Sequence, residues 1–204
     1  MASTTLLDSL RTANLLPSKV IPETSFTPIF SLTITFPSIS PSNGNFVRVS
    51  EVKQQPVISI TSSSPSSPSS HSAQSFTFML IDPDAPTPDD PKFGYWRHWV
   101  VTNIPFDSKS SAGEDADIIQ RGRTLTPYLA PGPKDESGPH RYLFLLFKEP
   151  EGLKLEKSDV GGEEFVDRRS FRAEEFVKTH GLELVGVQWM RGVGDGWKEG
   201  KDEL

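Results

Sequence analysis

At 204 residues the chain is long enough to bury a core, and its 35% apolar content, with 13 Phe and 4 Trp gathered into short runs, excludes wholesale disorder. A formal net charge of −6, from 27 acidic and 21 basic residues, provides no basic surface for a phosphate backbone, so nucleic acid is not an expected partner. With no cysteine, a disulfide framework, a thiol nucleophile and thiolate metal ligands are all excluded.

Along the chain, a helix is predicted over about 4–16. Thr5 would cap it, Leu6, Leu10 and Ala13 would share one face, and Pro17 would end it. Asp8 and Arg11 interrupt what a secretory leader would keep apolar, and no run reaches the length of a membrane span. Residues 30–36 alternate large apolar with small polar side chains, the pattern of a strand buried on one face. Pro41-Ser42-Asn43-Gly44 suggests a hairpin or loop, and 57–60 a further strand. The segment 62–75, dominated by Ser with Pro65 and Pro68, cannot bury apolar surface and is expected to form a mobile loop.

A strand over 76–81 leads into Asp82-Pro83-Asp84-Ala85-Pro86, and acidic, proline-rich 87–92 should cross the surface as loop. Strands are predicted over 99–104 and 142–147, separated by a polar loop over 107–117. Ser170 is placed to cap a helix reaching about His180, with Gly181 to stop it and Phe171, Phe176 and Val177 to pack it. A strand over 183–190 follows, then a charged tail from about 192. Many strands with few, peripheral helices imply a mainly β fold of two packed, predominantly antiparallel sheets, organised as a single domain over 1–204. The terminal Lys201-Asp202-Glu203-Leu204 matches a retention signal that is read only in the lumen. Without an entry signal it is expected to go unread, and a cytoplasmic location is expected.

Three polar clusters abut the apolar runs: Asp82-Pro83-Asp84-Ala85-Pro86, Trp96-Arg97-His98-Trp99 and Gly138-Pro139-His140-Arg141-Tyr142. Carboxylates and imidazoles at strand ends are held rigidly, which suits recognition of a small charged group. Two prolines stiffen the first cluster, so Asp82 and Asp84 project in fixed directions. Asp82, directly after the strand, is the stronger pocket candidate, whereas Asp84 is as well suited to bracing its own turn. His98 and His140 each lie beside a strand and near an aromatic. Trp96 can wall a pocket, Trp99 reads as core, and Arg141 should point away from His140 and Tyr142 if the strand is regular.

These clusters, in this order, resemble the signatures of the phosphatidylethanolamine-binding protein family, from about Leu10 to about Met190. Tyr128-Leu129-Ala130-Pro131-Gly132-Pro133 and the Ile21-Pro22-Glu23-Thr24-Ser25-Phe26-Thr27-Pro28 stretch look most like its fungal carboxypeptidase Y inhibitor group. The resemblance implies a large central sheet with a smaller second one. It also puts Asp82, His98, His140 and Tyr142 on anion-pocket positions, with Gly132 and Pro133 on the rim. Arg97 and the Ser-rich insertion depart from the motif set.

Two imidazoles and a phenol can donate to a phosphate, while Asp82 fixes a His tautomer or meets an amine. A metal held by Asp82, His98 and His140 is chemically conceivable but lacks a ligand-spacing signature, and no Gly-x-Ser-x-Gly elbow supports a hydrolase. The expected function is therefore non-enzymatic binding of a phosphate or phospholipid head group, with no cofactor. The resemblance adds inhibition of a serine carboxypeptidase, with the small, uncharged stretch 1–5 reaching the protease cleft and Ala2 open to acetylation. The alternative is a signalling adaptor whose partner binding the pocket gates.

Overall fold

The computed structural model describes residues 2–22, 26–62, 74–106 and 117–199, so most of the two predicted polar loops and the final Lys-Asp-Glu-Leu lie outside the described residues. Eight strands, β1 (Phe30–Thr35), β2 (Phe46–Arg48), β3 (Val57–Ser62), β4 (Gln74–Asp82), β5 (Trp96–Phe106), β6 (Arg123–Thr126), β7 (His140–Lys148) and β8 (Glu183–Val193), accompany two helices, α1 (Ala2–Thr12) and α2 (Ala173–Thr179). The strands form a two-stranded sheet, β1-β3, and a six-stranded sheet in the order β2-β8-β7-β4-β5-β6. Pairing is antiparallel except between β2 and β8.

The near-continuous apolar runs of β4 and β7 are explained by their position at the middle of the large sheet, where both faces are covered. Phe76, Phe78, Leu80, Phe144 and Leu146 face the small sheet and pack with Leu32, Ile34 and Ile58. Met79, Ile81, Leu143, Leu145 and Phe147 face the other way, against Leu6 and Leu10 of α1 and Phe176 of α2. Each of these side chains contributes about 1.5–3 kcal/mol relative to leaving it in water. By contrast β1 alternates buried and exposed residues, as its sequence predicts.

Several boundaries differ from those predicted. Helix α1 begins at Ala2 and ends at Thr12, four residues before Leu16, because Asn14 takes a left-handed conformation (φ 54°) and Leu15 N–H donates to Leu10 C=O at 2.8 Å. This is a Schellman cap, and it stops the helix before Pro17 can. Helix α2 starts at Ala173 rather than Ser170, whose own φ of 50° is not helical; Gly181, at φ 61°, does stop it. Ser42–Asn45 is a tight turn, yet it leads into β2, which pairs in parallel with β8, so no hairpin forms. The C-terminal strand continues to Val193, and 194–197 is pinned rather than trailing: Arg48 Nη1 donates to the carbonyls of Gly194, Asp195 and Trp197 at 2.9–3.2 Å. Among the described residues no helix is long and apolar enough to cross a membrane.

Candidate anion-binding site

The end of the large sheet carrying Asp82, Trp96 and His140 opens into a cavity of about 560 Å3. Strand geometry decides who faces it. On β7, His140 and Tyr142 lie two residues apart on one face, and Arg141 between them turns to the opposite face. On β5, an extra residue is inserted at His98 between the pairs Leu80–Trp99 and Ile81–Arg97. This β-bulge re-aims the local side chains, so that His98 and Trp96 both line the cavity while Arg97 is buried outside it.

Asp82 organises the centre. Its Oδ1 accepts the backbone N–H of Asp84 at 2.7 Å, and its Oδ2 accepts His140 Nδ1–H at 2.8 Å. A carboxylate can only accept, so Nδ1 of His140 carries the proton and Nε2 is left without a partner among the described residues. His98 is fixed in the same way, Nδ1–H donating to Leu129 C=O at 2.8 Å while Leu129 N–H donates back to His98 C=O at 2.9 Å. Tyr142 lies between the imidazoles, nearly parallel to His140 (16°) and edge-on to His98 (78°).

Burial pulls the His98 pKa below its ordinary 6.5, and this outweighs the opposing pull of Asp82. Burial, followed by the Asp82 charge, pushes Tyr142 well above its ordinary 10.0. At neutral pH the site therefore holds a neutral imidazole at His98 and a phenol that stays a donor. Two buried nitrogens in the cavity wall, His140 Nε2 and Trp96 Nε1, have no hydrogen-bond partner among the described residues. Buried polar atoms are rarely left so.

The structure thus brings together Asp82, Trp96, His98, Gly132, Pro133, His140 and Tyr142. Asp84 does not join them. It is 1% exposed and turns to the other face, where it takes a two-pronged ion pair from Arg141 (Nη2–Oδ1 2.6 Å, Nε–Oδ2 2.9 Å) and accepts the Arg141 N–H at 2.7 Å. Arg141 Nη1 also donates to Ala13 C=O at the end of α1, so this carboxylate anchors the helix to the sheet. Trp99 is core, as predicted, at 1% exposure. A Cβ on Gly132 would meet nothing within 4 Å, so the rim there is open.

Sequence reasoning missed Arg168 and Phe165. The guanidinium of Arg168 donates to the carbonyls of Arg97, His98 and Pro127 at 3.0–3.3 Å, tying the bulge to the neighbouring strand. Phe165 lines the cavity mouth, its ring 5.3 Å from that of Trp96. No local pattern marks either residue, because both act on residues 41 or more positions away in sequence. Arg97 is 1% exposed, and its guanidinium meets the carbonyls of Gly162 and Asp167; burial, with Arg168 alongside, lowers its pKa to about 10. Among the described residues, no three His, Asp or Glu side chains are grouped to hold a metal ion.

Comparison with known proteins gives consistent results. The profile of the phosphatidylethanolamine-binding protein family matches residues 34–188. The chain is 30% identical over 159 residues, 78% of each partner, to the protein MOTHER of FT and TFL1 homolog 2 of Oryza sativa subsp. japonica. Its fold is shared by carboxypeptidase Y inhibitor, solved with its cognate proteinase, at a TM-score of 0.74 and 24% identity over 95% of this chain and 97% of that one. A phosphatidylethanolamine-binding protein from Plasmodium vivax follows at a TM-score of 0.67 and 20% identity, over 93% and 97%.

Proposed function

This chain belongs to the phosphatidylethanolamine-binding protein family, and from that premise we propose that it is a non-enzymatic regulatory protein binding a phosphate-bearing head group between Asp82, His98, His140 and Tyr142. The observation that carries this reading is the pair of unpartnered buried nitrogens, His140 Nε2 and Trp96 Nε1, on two residues that line the cavity together with Asp82, His98 and Tyr142. An oxyanion accepts from Trp96 Nε1–H and from His98 in its charged form, while Asp82, to which the Tyr142 phenol is hydrogen-bonded, offers negative charge to an ammonium group.

The test follows the imidazole resonances of His98 and His140 during titration with glycerophosphorylethanolamine, a diester with no proton to gain near neutral pH. Both should shift. The pH dependence has a definite sign: His98 begins below 6.5 in the free protein, and a bound anion favours its charged form and raises that pKa. The complex therefore holds more protons than the free protein between the two values, and affinity should rise as pH falls through that window. Replacing His98 and His140 together by Ala should abolish the response. Unperturbed imidazoles in the unsubstituted protein would sink the anion-site reading.

The likeness to a carboxypeptidase Y inhibitor supports extending the proposal to inhibition of a serine carboxypeptidase through the N-terminus. Helix α1 is anchored by buried Leu6 and Leu10, so the residues before Leu6 extend from a fixed base. Deleting 2–5 leaves those anchors in place and should abolish inhibition in a peptidase assay; retained potency eliminates this route. The second reading is a signalling adaptor whose partner binding the pocket gates; it rests on the same pocket and needs no protease, and the rice relative, at 30% identity, shares the family with this chain. Recovery of a serine carboxypeptidase, or its clear absence, in a pull-down from the source organism separates the two.

A further inference from the structure

The cavity is much larger than its polar end requires. A phosphate has five heavy atoms and occupies on the order of 100 Å3, taking about 30 Å3 for a water-sized group, whereas the cavity measures about 560 Å3. Asp82, His98, His140 and Tyr142 form its polar centre, and Thr87, Lys134, Glu136 and Ser137 also line it. Between these polar groups Pro86, Trp96, Leu129, Ala130 and Phe165 supply an apolar part of the wall. That wall does not stop at the mouth. Phe165, which lines the cavity, is 56% exposed, and Val166, next to it in the chain but outside the cavity lining, is 57% exposed; among the described residues the other exposed large apolar side chains are Ile29 at 41% and Val57 at 37%.

Phe165 owes its position to the short 3-10 turn Phe165–Arg168. The turn is tied down through Arg168, whose guanidinium is fixed on three backbone carbonyls beside the site. The ring of Phe165 also packs edge-on against Trp96 (63°). A large apolar side chain on so constrained a turn remains in water at a cost, and an apolar surface continuous with a ligand cavity marks where an apolar part of that ligand lies. The charges next to the turn in sequence are mixed: Glu163, Glu164 and Asp167 against Arg168, Arg169 and Arg172. They favour neither sign, which suits an uncharged chain.

We propose that Phe165, with Val166, is a specificity-determining seat for the acyl chain of an amphiphile whose phosphoryl head occupies the Asp82–His140 end. The proposal rests on the head-group reading above. It adds that the chain crosses the Trp96–Phe165 pair and leaves the cavity over Val166.

The test compares glycerophosphorylethanolamine with dihexanoyl-phosphatidylethanolamine held below its micelle concentration, by calorimetric titration of the unsubstituted protein and of Phe165→Ser with Val166→Ser. Covering half a Phe and half a Val should make the acylated probe bind about tenfold more tightly than the bare head group. In the double variant that ratio should fall toward one. Both residues are more than half exposed, so the variant is expected to fold, and circular dichroism checks this. Equal affinities for the two probes in the unsubstituted protein, or a ratio unchanged in the variant, overturn the chain seat while the head-group reading stands. If neither probe binds, the head-group reading fails and the chain seat fails with it.

Discussion

Replacing Asp84 by Ala is expected to cost about 3–5 kcal/mol, the range found when one partner of a buried ion pair is removed. The carboxylate is 1% exposed and Arg141 is only partly solvated, so the guanidinium left behind cannot recover the lost contact from water. Arg141 N–H, which donates to Asp84 Oδ2 at 2.7 Å, would lose its acceptor as well. The link from Arg141 to Ala13 C=O would loosen, and the docking of α1 with it. Urea denaturation monitored by Trp fluorescence measures the loss. A cost below about 1 kcal/mol would show that Arg141 finds another partner, and that Asp84 is dispensable to the packing of α1.

Removing Glu149 should be comparably severe. This carboxylate, 6% exposed, stands just after β7, and its Oε1 accepts from Thr77 Oγ1 at 2.6 Å, Thr102 Oγ1 at 2.7 Å and Asn103 N–H at 2.9 Å. Asn103 sits at a second bulge of β5 with φ 53°, a conformation this hydrogen bond helps to hold. Glu149→Ala strands the Thr102 hydroxyl proton and the Asn103 amide, while Thr77 Oγ1 keeps Thr102 Oγ1 as acceptor at 3.2 Å, in a region where Thr77 and Thr102 have no exposure. At about 1–3 kcal/mol for each of two unsatisfied groups, a loss of about 2–6 kcal/mol is expected. Glu149→Gln keeps one acceptor oxygen and should cost less, so the order of the two variants in thermal unfolding tests the account. If Gln is as damaging as Ala, charge rather than acceptor geometry dominates. Neither Asp84 nor Glu149 faces the cavity, so these variants report on stability separately from ligand binding.

The contrast between Asp82 and Asp84 shows how far local sequence reaches. Both lie in one proline-stiffened turn, and position directly after the strand favours Asp82 for the pocket without deciding where Asp84 goes. What does separate them is the end of the strand: Asp82 ends β4 beside His140, and Asp84, in the turn beyond it, is no longer bound by the pleat and meets Arg141 instead. The alternation on β7 was legible because a strand's side chains point to opposite faces with a period of two, and Arg141 follows that rule. The bulge at His98 was not, because an inserted residue is defined only against the partner strand β4.

By itself the sequence determined the chemistry available and most of the strands. Apolar runs and their alternation specify strands and their buried faces, and the motif order identifies the family. Asp82, His98, His140 and Tyr142 were legible as candidates because carboxylates and imidazoles beside apolar strands are few. The tertiary structure alone decided which of those groups face one another, where α1 stops, and that Phe165 and Arg168 belong beside residues about 70 positions earlier. The physical reason is that strand pairing and helix docking are long-range: burial of both faces of the large sheet sets the register, and register decides which side chains meet.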